Sequence, residues 1–91
     1  MKPIQVEVFS SPGCSRCGRV FRMLESITRG FGAGRIAWRE VNVLDELDYA
    51  VKLGVLSLPA IVIDGKLIFT SHPSASKLRD ALDARLRDQI E

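Results

Sequence analysis

A chain of 91 residues, 46% hydrophobic and 26% charged, has the composition of a folded protein and room for only one small core, so residues 1–91 are expected to form a single domain. A formal net charge of +2, one Trp, one Tyr and no basic block interleaved with aromatics argue against a nucleic-acid partner. No apolar run approaches the ~20 residues of a membrane-spanning helix, and Met1-Lys2-Pro3-Ile4 lacks the apolar stretch of a signal peptide, so a cytoplasmic protein without a membrane partner is expected.

Ile4-Gln5-Val6-Glu7-Val8-Phe9 reads as the first strand, residues 4–9. Val6 and Val8 point to one side, Phe9 and Glu7 to the other, as in a strand covered by helices on both faces. Cys17, Val20, Phe21, Leu24 and Ile27 then recur at helical spacing and predict a helix over residues 14–29, with Gly30 as its C-cap. Arg16, Arg19 and Arg22 lie off that stripe, either as a solvated face or as an electropositive rim that attracts acidic partners. Gly30-Phe31-Gly32-Ala33-Gly34-Arg35 follows a helix and precedes a strand, the reverse of a phosphate-cradling glycine loop, and reads as a connection.

Residues 36–43 read as the second strand, with Trp38 and Val41 packing; a right-handed crossover sets it parallel to the first. Asp45 and Glu46 suit the first turn of a helix over 45–53 that buries Leu47, Ala50 and Val51 and ends at Gly54. Residues 60–63 and 66–69 flank Asp64-Gly65, a strong hairpin signal, and Pro59 stands at a strand start, where a strand tolerates it. His72 is expected in a solvent-facing loop. Leu78, Leu82, Leu86 and Ile90 repeat every four residues along an amphipathic helix over 74–90, on which Asp83 and Arg87 form a favourable pair. The order βαβαββα is that of an α/β chain with a four-stranded mixed sheet flanked by helices.

The chain's two cysteines sit where the first strand hands over to the first helix, in Pro12-Gly13-Cys14-Ser15-Arg16-Cys17-Gly18. A C-x-x-C inside a βαβ pattern signals redox chemistry. As a structural staple so short a loop would contribute only roughly 2 kcal/mol, and a cytosolic compartment would keep it reduced. Only a thiolate attacks a disulfide. Cys14, at or just before the first helical turn, faces unpaired N–H groups and the positive end of the helix dipole, which favour an anion, and Arg16 adds a positive charge. Cys17 lies one turn further in and is expected to be more buried. Cys14 is therefore read as the attacking thiol and Cys17 as the resolving one, with Pro12, Gly13, Ser15 and Arg16 as candidate substrate contacts.

The expected partners are a disulfide-containing protein or small-thiol substrate and an upstream reductase or thiol donor, with the chain itself a monomer. Four-coordinate zinc needs two ligands beyond the cysteines, and the chain offers only His72, so no intramolecular metal site is expected. Two alternatives stay open: a metal or iron–sulfur module shared across a dimer, and a redox-dead interaction scaffold.

Val8-Phe9-Ser10-Ser11-Pro12-Gly13-Cys14-Ser15-Arg16-Cys17, followed downstream by Gly54-Val55-Leu56-Ser57-Leu58-Pro59-Ala60, resembles the thioredoxin superfamily, and within it the small glutaredoxin-sized thioredoxin-like proteins. The resemblance spans essentially the whole chain. It implies a three-layer sandwich and a thiol–disulfide oxidoreductase whose redox group is the Cys14–Cys17 disulfide, with no other cofactor. It also implies a cis Leu58–Pro59 peptide against the cysteines, Leu58 and Pro59 positioning a substrate segment through backbone pairing. Three positions depart from the family pattern. Ser15-Arg16 replaces the Gly-Pro or Pro-Tyr dipeptides, and Val8 stands where thioredoxin carries a buried Asp. Phe69-Thr70-Ser71-His72-Pro73 lacks the Gly-Gly with which glutaredoxins hold glutathione, which leaves glutathione as a cofactor candidate without its usual anchor.

Overall fold

A computed structural model describes residues 3–32, 34–71 and 73–90. The chain runs β1 (Ile4–Ser10), α1 (Cys17–Phe31), β2 (Ile36–Asn42), α2 (Leu47–Leu53), β3 (Ala60–Ile63), β4 (Lys66–Phe69) and α3 (Ala75–Ile90). The sheet order is β2-β1-β3-β4. β1 pairs in parallel with β2 and antiparallel with β3, and β3 pairs antiparallel with β4. None of the described helices is long and apolar enough to cross a membrane.

The alternation along β1 and β3 builds a core on each side of the sheet. Ile4, Val6, Val8, Ile61 and Ile63 pack with Val20, Leu24 and Ile27 of α1 and with Leu78, Leu82 and Leu86 of α3. Phe9, Ala60 and Val62 face the other way and pack with Val41 of β2 and Ala50 of α2. β1 therefore lies between two helical layers, the two-sided burial its sequence predicts, and Phe9 is wholly buried. Asp64 and Gly65 take φ values of 49° and 81°, the left-handed pair that a tight hairpin between twisted strands requires. Asp64 also ties the hairpin to β1. Its N–H donates to the Gln5 carbonyl at 2.8 Å, and its carboxylate accepts from Gln5 N–H at 2.9 Å and from Arg85 Nε at 2.7 Å.

Several element limits differ from expectation. α1 begins at Cys17 rather than Cys14, because the Cys14 N–H donates to the Ser11 carbonyl at 3.0 Å and closes a turn ahead of the helix. It runs past Gly30 to Phe31, which packs on the core, and Gly32, with φ 96°, ends it instead. β2 stops at Asn42 because Asn42 organises the next turn. Its carbonyl accepts from Asp45 and Glu46 N–H and its side chain from Leu44 N–H, so α2 starts at Leu47 rather than Asp45.

The inward face of α2 also differs. Only Ala50 of the expected residues is buried; Leu47 and Val51 are 58% and 68% exposed. Tyr49 and Leu53 pack inward in their place, since Tyr49 stacks at a tilt on Phe9 and bonds to Glu7. Gly54, left-handed at φ 87°, closes α2. On α3, Leu78, Leu82 and Leu86 are buried as expected and Asp83 pairs with Arg87 at 2.8 Å. His72 and the side chain of Ile90 lie outside the described residues.

Candidate active site

Two chain segments meet at one end of the sheet. The first is the exit of β1. Ser10 is buried, its hydroxyl donates to Glu40 Oε2 at 2.8 Å, and its carbonyl accepts from Val43 N–H at 2.9 Å. These bonds to β2 and to the residue just after it fix the point where the chain leaves the sheet. The turn from Ser11 then carries Cys14 to the front of α1, and no side chain caps that helix. Its first-turn N–H groups, the positive end of the peptide dipoles, are left to face the approach to Cys14.

Cys14 and Cys17 are joined in a disulfide, their Cα atoms 5.6 Å apart. The two sulfurs are not equivalent. Cys14 is partly exposed, whereas Cys17 is 3% exposed, with its Sγ 4.0 Å from the Phe9 carbonyl oxygen.

The second segment is the loop from α2 into β3. Its Leu58–Pro59 peptide is cis. Pro59 is buried, and the next residue, Ala60, pairs with Phe9 at the end of β1. That pairing delivers the loop to the cysteines, and the Ser57 hydroxyl donates to the Thr70 carbonyl and ties the loop to the end of β4. Leu58 packs on the α2 side of the core and lines an open depression of about 290 Å³ with Ser11, Gly13, Cys14, Ser15 and Arg16. Of the residues singled out from sequence, Cys14, Gly13, Ser15, Arg16 and Leu58 thus meet in one depression. Pro12 is exposed on the adjoining turn, while Cys17 and Pro59 are buried.

A second groove, of about 460 Å³, is lined by Ser15, Arg16, Arg19 and Arg22 and shares Ser15 and Arg16 with the first. Among the described residues no cluster of three or more His, Cys, Asp or Glu side chains could hold a metal ion. Val8 is wholly buried in the apolar cluster on the α1 and α3 side.

The carboxylate that sequence reasoning left without a role is Glu7. It is 8% exposed, on the α2 side of β1. It accepts from Arg39 Nε at 3.1 Å and Nη2 at 2.6 Å, and from the Tyr49 hydroxyl. Arg39 lies in direct register with Glu7 on the neighbouring strand, and it also reaches Glu46 Oε2 at 3.6 Å. The bond to Glu7 is the main cause that raises the Arg39 pKa, and it raises the Tyr49 phenol likewise, with burial second. This cluster fastens α2 to the sheet. The opposite-charge register pair was the available signal, but it shows only once the strand alignment is known.

Comparison with known proteins places these features. Residues 4–83 match the model of a thioredoxin domain family. A protein named thioredoxin from Methanocaldococcus jannaschii is 28% identical over 86 residues, covering 94% of this chain and 100% of that one. A probable thioredoxin from Methanothermobacter thermautotrophicus is 28% identical over 80 residues, covering 88% and 93% of the two chains. Among solved structures, thioredoxin 1 from the thermophilic eubacterium Thermosipho africanus superposes with a TM-score of 0.75 at 20% identity, over 96% of this chain and 99% of that one. That last likeness is one of fold.

Proposed function

This chain belongs to the thioredoxin superfamily and is a thiol–disulfide oxidoreductase; from that premise we propose that it reduces protein disulfides, with Cys14 as the attacking thiol and Cys17 as the resolving one. The observation that carries the reading is the unequal placement of the two sulfurs, Cys14 in an open depression and Cys17 3% exposed behind it. Only the sulfur of Cys14 can meet a substrate disulfide without rearrangement.

In the dithiol form the Cys14 thiolate, favoured by the uncapped start of α1 and by Arg16, attacks one sulfur of the substrate disulfide. The Cys14–substrate disulfide forms, and the second substrate sulfur leaves as a thiolate. Cys17 then gives up its proton to that departing thiolate and attacks the Cys14 sulfur. The Cys14–Cys17 bond closes, and the first substrate sulfur leaves as a thiolate that takes a proton from water. Two electrons pass from the dithiol to the substrate, and no cofactor beyond the cysteine pair is needed.

With Val8 in an apolar cluster, and Glu7 on the other face of β1 and occupied by Arg39 and Tyr49, no carboxylate is assigned to the deprotonation of Cys17. An upstream dithiol reductase would return the pair to the reduced form, and a reducing cytoplasm would hold it there. Leu58 and the backbone ahead of Pro59 would hold the substrate segment against Cys14, as an added strand is held. The test is reduction of a protein disulfide by the purified chain recharged with a small dithiol. Catalysis above the dithiol alone is expected, and its absence would overturn the reading.

A further inference from the structure

We infer that the arginine groove of α1 selects the partner: the disulfide segments that reach Cys14 carry carboxylates a few residues from the cysteine, and Arg19 and Arg22 bind them. This rests on the disulfide-reductase reading and names the substrate class for the same site.

Four observations carry it. First, Arg16, Arg19 and Arg22 are exposed and line one groove with Ser15, and that groove runs into the depression at Cys14 and Leu58. Second, none of these arginines takes part in an ion pair among the described residues, whereas four of the other six, Arg29, Arg39, Arg85 and Arg87, are paired with carboxylates; Arg35 and Arg79, also without one, stand alone rather than in a cluster beside the cysteines. Glu25, three residues beyond Arg22, could have neutralised it and instead bonds to Arg29 at 3.1 Å.

Third, the charge is on the wrong end of the helix for stability. The N-terminal turn of a helix favours acidic side chains and disfavours cations, yet the first turn of α1 has none that is acidic. Fourth, the Arg22 side chain turns back toward that end. A methyl carbon placed on Gly18 would lie 3.7 Å from the Arg22 Nη1. A solvated helix face kept only for solubility gains nothing from cations gathered at the positive pole beside the disulfide, whereas an anion recruited there meets both the guanidinium groups and the helix dipole.

The ligand chemistry follows from the geometry. From Cys17 to Arg22 the helix rises by roughly 8 Å, a distance an extended segment covers in about two to three residues at ~3.3 Å each. The Cys14 Cα lies a further 5.6 Å from that of Cys17, so a strand whose disulfide lies at Cys14 has its side chains about two to four residues away within reach of Arg19 and Arg22. The groove is open and lined by α1 and the turn just before it, which suits a strand passing across it.

The experiment compares three disulfide peptides that differ only in the residues two to four positions from the reactive cysteine: acidic, neutral and basic. We expect kcat/KM for the acidic peptide to exceed that for the neutral one by about tenfold in 10 mM salt, the lower end of electrostatic steering. The ratio should fall towards one at 300 mM, where screening shortens the reach of charge to less than ~8 Å. Arg19→Gln/Arg22→Gln should bring the low-salt ratio close to one, and Arg19→Glu/Arg22→Glu should turn the preference toward the basic peptide. Circular dichroism confirms that each variant is folded. Similar kcat/KM for all three peptides, or an acidic preference indifferent to salt and to both substitutions, overturns this inference while leaving the reductase reading in place. No turnover of any peptide by the wild-type protein overturns the reductase reading and this inference with it.

Discussion

Glu7→Gln probes the polar cluster that fixes α2 to the sheet. At 8% exposure a carboxylate is tolerated only when its oxygens are well bonded, and Glu7 accepts from Arg39 at 3.1 and 2.6 Å and from Tyr49. The glutamine keeps the shape, but it replaces one acceptor oxygen with an NH2 group that faces a donor on either side. Hydrogen bonds to a charged group contribute about 1.5–3 kcal/mol each. The Arg39 side chain is 55% exposed, so its share is reduced by solvent screening, and the combined loss should be about 2–3 kcal/mol. In a domain of this size that corresponds to a fall in Tm of about 10–20 °C. Urea unfolding at pH 7 is the assay, run on the oxidised and the reduced protein, and both forms should lose a similar amount because the cluster lies on the opposite sheet face from the α1 core. A variant within about 0.5 kcal/mol of wild type would show that the contact is balanced by its solvation and does not hold α2.

Tyr49 gives the same cluster a pH signature. Its pKa is raised above 10.0, chiefly because the phenol donates to Glu7 and secondarily through burial. A group whose folded pKa is raised contributes stability that is complete below its unfolded pKa and is lost as pH rises through the folded value. The stability difference between wild type and Tyr49→Phe should thus be constant up to about pH 10 and shrink above it; a difference that persists through pH 12 would contradict the bond to Glu7. Gly65→Ala should cost about 1–2 kcal/mol in urea unfolding, since φ there is 81° and a Cβ strains that conformation. A change below about 0.3 kcal/mol would mean that the hairpin relaxes to another turn.

The strands and the hairpin were legible because their signals are local: period-two alternation, an Asp-Gly pair, and the handedness of a strand–helix–strand crossover. The cysteines were legible because chemistry fixes their residue type, whereas the cis Leu58–Pro59 peptide came only with the family resemblance, since most X–Pro bonds are trans. Features set by distant partners were not. A seven-residue helix has too few turns for periodicity to choose its inner face; Phe9 and Glu7 choose it, by drawing Tyr49 inward over Leu47 and Val51. Glu7 carried no signal of its own, since Arg39 and Tyr49 follow it by 32 and 42 residues. The start of α1 depended on one backbone bond, from Cys14 N–H to Ser11. The arginines were visible as a charged face, but that they stand unpaired emerges only when Glu25 is seen bonded to Arg29.

The division of roles between the two sulfurs is tested most directly by trapping. Reduced Cys17→Ser and Cys14→Ser proteins are each mixed with a disulfide peptide, and the covalent adduct is followed by intact mass. Cys17→Ser should accumulate a persistent mixed disulfide through Cys14, since no resolving thiol remains, while Cys14→Ser, with Cys17 3% exposed, should form none on the same timescale. An adduct on Cys14→Ser that forms as fast as on Cys17→Ser would contradict the assignment of Cys14 as the attacking thiol.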